Sequence, residues 1–500
     1  MTTRPSSVAI FALPCSAALF GLLFRYPGLD QSYLLLTAWE FVAGKGLYVG
    51  VYDLPPSALF HSLPILLHNV SGLSVVFSWN ALCASLCCLS GFLFFRFVTG
   101  RSQRIFAIVW TLVLLLAFDD YVMGAREFLF AIFWIPYLGA RLNVQDDRHH
   151  LSEVVVGGMV GFFIAVKPYF ALYVILIDLP LFFLRKKRSA TLPFVAMVVS
   201  GLIQIILFLM LCEVSRVLEV IRQIAYYRTV GFNYTGTIAY IISSLTPWLS
   251  AAIAIIYFAA KPFGKLSTLF ALCLITSLVT IALMIVQGQP RPIYLTPAAL
   301  SNVAAAGIIA QHCRDCGTNR WMLSRVFGAA VLVPVFYAFT AHGLLIGIFK
   351  KYALDDEHVE TIGRPAHDEF LEWVTSHVPQ HENIGVIALQ PGYPAMDPIL
   401  SLLRLDRRAF GRMPVLNFPL RAALFSNDAE EKAKRVREII EDFEQADIRW
   451  LIVRRDGPGP PIQNVWVALE GIPTFQAWLN SRFKPTPGFG HYIVYRRSET

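Results

Sequence analysis

Charge is what this chain has least of. Only 15% of its 500 residues are Asp, Glu, Lys or Arg, against 56% hydrophobic, and the mean hydropathy is +0.56. So little polar surface will not keep a soluble domain of this size in solution, which leaves a polytopic membrane protein. Cysteine is absent beyond Cys316, so no disulfide staples the last third of the chain, whichever compartment holds it. A cleavable signal peptide is not evident. The N-terminal apolar run has one basic residue ahead of it, Arg4, and no small-residue cleavage site before Arg25, so it reads as a first span. Internal repeats and low-complexity segments do not stand out. The net charge of +8 is accounted for by loops between spans, and no basic-aromatic platform stands outside the apolar part, so no nucleic-acid partner is implied. The HCRDC run at 312–316 lacks the second ligand pair that a closed zinc site needs.

What is present is a series of apolar runs. A membrane-crossing helix needs about 20 mostly apolar residues, fewer inside a bundle. Spans are expected at 6–24, 71–95, 105–118, 128–141, 153–166, 169–184, 193–212, 238–259, 266–286, 296–311 and 326–349, about 11 in all. With the N-terminus in the cytoplasm, the inner loops collect Arg96, Arg101, Arg104, Arg141, Arg148, the 185–188 RKKR block, Lys261, Lys265, Arg314, Arg320 and Arg325. The outer loops are longer and carry fewer basic residues, as positive-inside orientation requires. Read as one helix, 153–184 would put RKKR outside, so a hairpin with Lys167-Pro168 at its outer tip is expected.

An odd number of spans sends residues 350–500 to the outer side, as a domain separate from the membrane part at 1–349. There, 428–447 has the charge spacing of an exposed amphipathic helix, and 384–389, 449–455 and 491–497 are short β-type runs between turn clusters such as DGPGPP. A small α/β domain is expected.

This topology gathers Asp30, Asp119, Asp120, Arg126, Glu127, Lys167, Arg291 and Tyr294 at one face of the membrane, at the ends of different spans. Each alone reads equally as an interface anchor. Together, acidic and basic groups at a lipid boundary suit a reaction in which a carboxylate takes a proton while cations receive a departing phosphate. Glu127 beside Arg126 reads as a structural ion pair, and Asp178, beside Pro180, as an acid that satisfies backbone or snorkels. In the first outer loop, 25–70, Asp30 precedes a stretch with Leu34, Leu35, Ala38, Trp39, Phe41 and Val42 at helical spacing, closed by Gly44 and Gly46. Too short to span, it suits a helix lying in the interface plane, and a second short helix is expected after Asp53-Leu54-Pro55-Pro56. The run 213–236 contains Arg222, Tyr227 and Arg228. It reads either as a flap over a lipid phosphate and sugar or as an interface anchor.

These features resemble the GT-C superfamily of polytopic glycosyltransferases, which includes protein O-mannosyltransferases, the lipid A aminoarabinose transferase and mycobacterial arabinofuranosyltransferases. The resemblance rests on Asp30, Tyr33, Ala38, Gly44, Gly46, Tyr48 and Pro55-Pro56 in the first outer loop, on Asp119-Asp120 in the second, and on AREFLF at 125–130. It also rests on the element ending KPY at 167–169, on QGQPRPIYLTP at 287–297, and on a C-terminal domain on the outer side. It covers roughly residues 1–300 by pattern and the rest by layout.

The resemblance implies an inverting transferase that uses a polyprenyl-phosphate-sugar donor and a glycan, lipid or protein acceptor. Asp30 would be its general base and Asp119 or Asp120 would orient the acceptor or hold a divalent cation. Arg291, Lys167, Arg126 and Tyr294 would bind the donor phosphate. Gln31 stands where many relatives have a second acid, which speaks against a metal at that point. The style of the motifs implies a bacterial inner membrane, with the outer side in the periplasm. A transporter or flippase of lipid-linked sugars is the competing reading, although such proteins pair inverted segments around a mid-membrane site, whereas here the charges crowd one surface. A third reading is a non-catalytic assembly protein whose outer domain binds a partner. The topology is tested by reporter fusions: one after residue 190 should report the cytoplasm and one at the C-terminus the outer side. Both on the same side would break the span count.

Overall fold

The computed structural model describes residues 29–44, 55–94, 96–97, 124–142, 150–184, 191–211, 234–260, 264–288, 292–315, 364–387, 402–403, 405–407, 429–454, 465–490 and 492–498. The spans expected at 6–24, 105–118 and 326–349 lie outside them. The chain forms two compact units, one of Met1–Tyr26, Asn80–Leu207 and Gly231–Phe349, the other of Pro27–Trp79, Phe208–Val230 and Lys350–Thr500. Among the described residues, Val75–Phe94 and Ser267–Gln287 are long and apolar enough to cross a membrane, and His150–Val166, Pro168–Leu181 and Leu192–Leu207 are shorter apolar helices.

The first unit is built around the helix Arg126–Leu142, in which every residue from Glu127 onward is buried. A helix that is apolar all round belongs in the middle of a bundle. His150–Val166 runs antiparallel to it, with Phe163 on Phe133 at a ring separation of 5.9 Å. The chain reverses at Lys167 and returns along the same central helix, where Phe170 stacks on Phe130 at 4.2 Å and Tyr173 meets Trp134 edge-on at 6.0 Å. Sequence dictates the break. The ring of Pro168 clashes with a helical residue before it, so Lys167 is extended, with φ −142° and ψ 91°.

The return limb contains a π-helical turn, Val174–Asp178, where Leu179 N–H reaches back to the carbonyl of Val174. Pro180 has no N–H for the carbonyl four residues earlier and its ring crowds it, which favours the wider turn. The wider turn carries Asp178 to Arg141. Its Oδ1 accepts from Nε at 2.7 Å and its Oδ2 from the Tyr137 hydroxyl at 2.6 Å, with Arg141 and Asp178 both fully buried. This corrects two expectations. Asp178 neither snorkels nor bonds backbone alone, and Arg141 is in the last helical turn and inside the bundle, not in a loop. An isolated charge there would cost several kcal/mol, so each requires the other.

Two further departures have local causes. The span expected at 238–259 is two helices, Tyr234–Ser243 and Leu245–Ala260. At the joint the Ser244 hydroxyl donates to the Ile241 carbonyl at 2.8 Å and Trp248 Nε1 to that of Ile242 at 2.8 Å, replacing ladder bonds lost near Pro247. The helix Thr296–Asp315 runs past the expected end of its span and takes in His312, Cys313 and Arg314. Against it packs Gly264–Gln287, whose buried hydroxyls serve as interhelical links. Thr276 accepts from Trp134 Nε1 at 3.1 Å, Ser277 donates to Asn302 Oδ1 at 3.1 Å, and Thr280 bonds the Tyr173 hydroxyl at 2.9 Å.

In the second unit, the helix Leu29–Val42 stops at Gly44, whose φ of +92° only glycine adopts without strain. It is not one-sided, since Leu34 to Glu40 are buried on every side, Thr37 and Glu40 included. The next helix, Pro55–Ser71, packs on it and covers it. That second helix has the interfacial character. It turns Ser57, His61 and Ser62 inward, with the His61 ring stacked on Trp79 at 5.1 Å, and presents Leu63, Leu66, Leu67 and Val70 outward.

The C-terminal part of this unit holds a sheet ordered β1-β2-β4-β3, from Ile384–Ile387 (β1), Trp450–Arg454 (β2), Phe483–Phe489 (β3) and Tyr492–Arg497 (β4). β1 and β2 pair in parallel and the remaining pairs are antiparallel. Leu451 and Val453 meet Phe443, Leu469, Phe475 and Leu479 from the helices on one face. On the other, Arg364–His377 sets Trp373 edge-on to Trp450 at 5.8 Å. β3 was not expected, because FKPTPGF carries two prolines and a glycine. It is an edge strand, where a missing donor is tolerated. Asp406 accepts from Val75 N–H at 2.9 Å, capping the Val75–Phe94 helix from 331 residues away.

Gly157 and Gly161 bring His150–Val166 against Leu192–Leu211 so closely that an added Cβ would lie 2.1 Å from the carbonyl oxygens of Pro193 and Met197, whereas one at Gly158 would meet nothing within 4 Å. Gly161→Ala should therefore lower the thermal unfolding temperature in detergent. Gly158→Ala should leave it unchanged or raise it, since alanine is the better helix former by about 1 kcal/mol.

Candidate active site

The reversal at Lys167 has a chemical result. The lysine stands at the tip of the hairpin and reaches the first turn of the central helix, where its Nζ forms an ion pair with Glu127 Oε1. The hydroxyl of Tyr169, two residues on in the short turn Pro168–Phe170, donates to the same carboxylate oxygen at 3.1 Å. Lys167 Nζ lies 5.0 Å from the centre of the Tyr169 ring and 5.1 Å from that of Tyr294, so two aromatic rings and a carboxylate surround one ammonium. Tyr294 arrives from the turn Pro292–Leu295, which leads into Thr296–Asp315. Gln287, at the end of the preceding helix, also hydrogen-bonds with Tyr169 through its side chain.

Burial gives the cluster a direction. The Glu127 side chain is 2% exposed and that of Lys167 16%. Phe128 and Phe130 on the same helix, and Phe170 stacked on Phe130, are fully buried. The acid is thus at the back and the ammonium at the mouth. Arg126, next in sequence to Glu127 and half-buried, adds a second positive charge beside the carboxylate. Lys167 and Arg126 thus place two cations against one buried carboxylate. A cation in poorly solvated surroundings with aromatic walls binds a phosphate oxygen more strongly than the same group in water.

Of the residues expected to hold the donor phosphate, Lys167 and Tyr294 are in contact, with Arg126 beside the carboxylate that Lys167 pairs with; Arg291 lies outside the described residues. Glu127 was expected to pair with its neighbour Arg126. Its ion pair with Lys167, 40 residues on, makes it part of the cluster. Tyr169 and Gln287 were not singled out, although both sit in the short elements KPY and QGQPRPIYLTP that drew attention to their neighbours. Asp30 is the second residue of the helix Leu29–Val42 and belongs to the other unit. Asp119, Asp120, Arg222, Tyr227 and Arg228 lie outside the described residues. Among the described residues no three His, Cys, Asp or Glu side chains gather closely enough to hold a metal ion.

The Glu127–Lys167 pair should show in a double-mutant cycle. Lys167→Met strands a buried carboxylate, an effect of about 3–5 kcal/mol, while the double variant with Glu127→Gln strands nothing and should regain most of that loss. The measurement is thermal or denaturant unfolding in detergent. Strictly additive effects would mean the two groups do not interact.

No family profile matches the sequence, and no curated protein matches it. Solved structures do match. The crystal structure of ArnT from Cupriavidus metallidurans bound to undecaprenyl phosphate superposes with a TM-score of 0.55 at 12% identity, over 98% of this chain and 97% of that one. The apo form of the same protein gives 0.54, with the same identity and coverage. The arabinofuranosyltransferase AftD from Mycobacteria gives 0.46, at 12% identity, over 99% of this chain and 40% of that one. With ArnT matched from end to end, this chain shares the fold of that protein.

Proposed function

We propose that the protein is a membrane glycosyltransferase that moves a sugar from a polyprenyl-phosphate carrier to an acceptor hydroxyl at the outer face of the membrane, with inversion at the anomeric carbon. The observation that carries this reading is the seat at the hairpin tip, where Lys167 stands between Tyr169 and Tyr294 at the end of a helix buried from Glu127 onward. A phosphate on a long apolar tail needs this pairing of a poorly solvated cation with apolar helices. ArnT, with which the chain shares its fold, binds undecaprenyl phosphate.

In this mechanism the acceptor hydroxyl attacks the anomeric carbon and loses its proton to Asp30, while the bond from that carbon to the phosphate oxygen breaks and its electron pair leaves with the phosphate. A carboxylate with an ordinary pKa near ~4 is ionised at neutral pH and ready for this role. The negative charge that grows on the phosphate is met by Lys167, with Arg126 and Arg291, and Tyr294 closes the seat. Asp119 or Asp120 orients the acceptor, or holds a divalent cation if one takes part. The segment with Arg222, Tyr227 and Arg228 covers the carrier, and residues 350–500 stand on the outer side. The acceptor hydroxyl belongs to a glycan, a lipid or a protein.

The test is Asp30→Asn in full-length protein, with release of polyprenyl phosphate measured from a panel of polyprenyl-phosphate sugars in the presence of cell-envelope acceptors. Transfer should fall about 10²–10⁴-fold, the range removed with a general base, with donor binding retained. Undiminished transfer removes Asp30 from the role. Movement of the donor across liposome membranes with no transfer at all would favour the transporter.

A further inference from the structure

The helix Val75–Phe94 starts with a cap of its own, since the Ser74 hydroxyl accepts from Phe77 N–H at 3.1 Å. The bond from Val75 N–H to Asp406 Oδ1 is additional, and it comes from a distant turn at 402–407. That turn is closed by its own backbone, with Leu405 N–H and Arg407 N–H donating to the Leu402 carbonyl at 3.1 and 2.9 Å, and it is seated by the buried side chains of Leu402 and Leu403. Asp406 has a φ of +50°, in the left-handed region that Asp and Asn tolerate better than most side chains. Its neighbour Arg407 donates from Nη2 to the Val378 carbonyl at 2.7 Å, just past the helix Arg364–His377. Adjacent side chains of one turn thus hold the start of one helix and the end of another.

From Val75 the contacts run on into the first loop. Residues 72–74 join Pro55–Ser71 to Val75–Phe94, and in this joint the Leu73 carbonyl accepts from His68 Nδ1–H at 2.6 Å while Leu73 N–H donates to Ser71 Oγ at 3.2 Å. The His68 ring meets Trp39 edge-on at 5.4 Å. Trp39 is on the helix Leu29–Val42, which carries Asp30. Resting on the general-base role proposed above for Asp30, we infer that Asp406 is a positioning residue of the transfer reaction. Through Val75, Leu73, His68 and Trp39 it sets the orientation of the helix that presents the base, and it takes no part in bond-making. A general base must lie within hydrogen-bond reach of the proton it takes. A displacement of about 1 Å imposed from a distance can therefore cost about 10²-fold in rate.

The test uses full-length protein in lipid nanodiscs. It measures kcat for release of polyprenyl phosphate from the same panel of donors and acceptors and, separately, the Kd for undecaprenyl phosphate. Asp406→Gly keeps the left-handed turn, which glycine adopts without strain, and removes only the acceptor. Asp406→Asn keeps both the turn and an acceptor oxygen. In Asp406→Gly kcat should fall by at least about tenfold, toward the ~10² expected of a misplaced base, with the Kd unchanged, and Asp406→Asn should hold the wild-type kcat. His68→Leu breaks the chain of contacts at its middle and leaves the turn intact. It should reproduce the loss in kcat, and the pair with Asp406→Gly should lose no more than either alone.

A wild-type kcat in either Asp406→Gly or His68→Leu overturns the inference, and if Asp406→Gly does not fold, His68→Leu alone decides. A Kd that rises in step with the fall in kcat also overturns it, since a general loss of structure would give that result. So does an Asp406→Asn protein no better than Asp406→Gly. The Asp30→Asn background separates this inference from the reading beneath it. There Asp406→Gly should cost nothing further, because the base it positions is already gone. A loss of full size in that background places its effect elsewhere and overturns the inference with the base role intact. Undiminished transfer in Asp30→Asn alone removes the base role, and the inference falls with it.

Discussion

The first unit depends on one constraint: no charge may be left alone in the apolar interior around the helix Arg126–Leu142. That helix begins with Glu127 and ends with Arg141, and both are buried. A single folded-back limb answers both, Lys167 at its tip and Asp178 eleven residues later. Because the two ion pairs lie at opposite ends of a helix about 25 Å long, at 1.5 Å per residue, they fix the register of the limb as well as its position. A slip of one residue would separate both pairs at once. The aromatic contacts between Phe130 and Phe170 and between Trp134 and Tyr173 fill the length between them and add no comparable directional demand.

The two pairs differ in a way that separates structure from function. Arg141 and Asp178 are both fully buried, and Tyr137 shares the carboxylate. Lys167 and Glu127 make the same kind of contact, but the cation is left partly open to the outside of the bundle and is walled by rings. A closed pair can only hold helices together. The second pair holds helices with its cation partly exposed, and the sequence supplies the difference through Lys-Pro. Proline ends the helix at the lysine, so a residue that would have been a buried counter-ion within a helix is left partly exposed at the hairpin tip.

Much of this was legible before the coordinates. Lys167-Pro168 marked the reversal, the charge of the RKKR block required it, and Lys167 and Tyr294 stood out because they fall at span ends on the same side. What could not be read was pairing at a distance. Glu127 has a cation at the adjacent position, and proximity in sequence favoured Arg126, but residues adjacent on a helix point in different directions. Only the fold-back shows that Lys167 is a partner as well. Asp178 was misread for a related reason, since the π-helical turn that swings it toward Arg141 comes from Pro180 acting two residues downstream. The helix Leu29–Val42 was taken as one-sided because its apolar residues have helical spacing; the burial of Thr37 and Glu40 depends on the covering helix, Pro55–Ser71, which carries the exposed leucines in its place. β3 was missed because prolines read as a loop unless the strand is known to lie at an edge.

The comparison with ArnT gives these local devices their weight. Two chains that agree at 12% of positions yet superpose over nearly their whole lengths share few particular side chains. What they can share is the placement of apolar helices and of the points where the chain must turn back. In this chain one such point is a Lys-Pro step that both satisfies a buried acid and exposes a cation. The bond between Lys167 and Glu127 is thus part of what holds the hairpin in register, and a change that weakened it to free the ammonium would leave a carboxylate alone in the bundle.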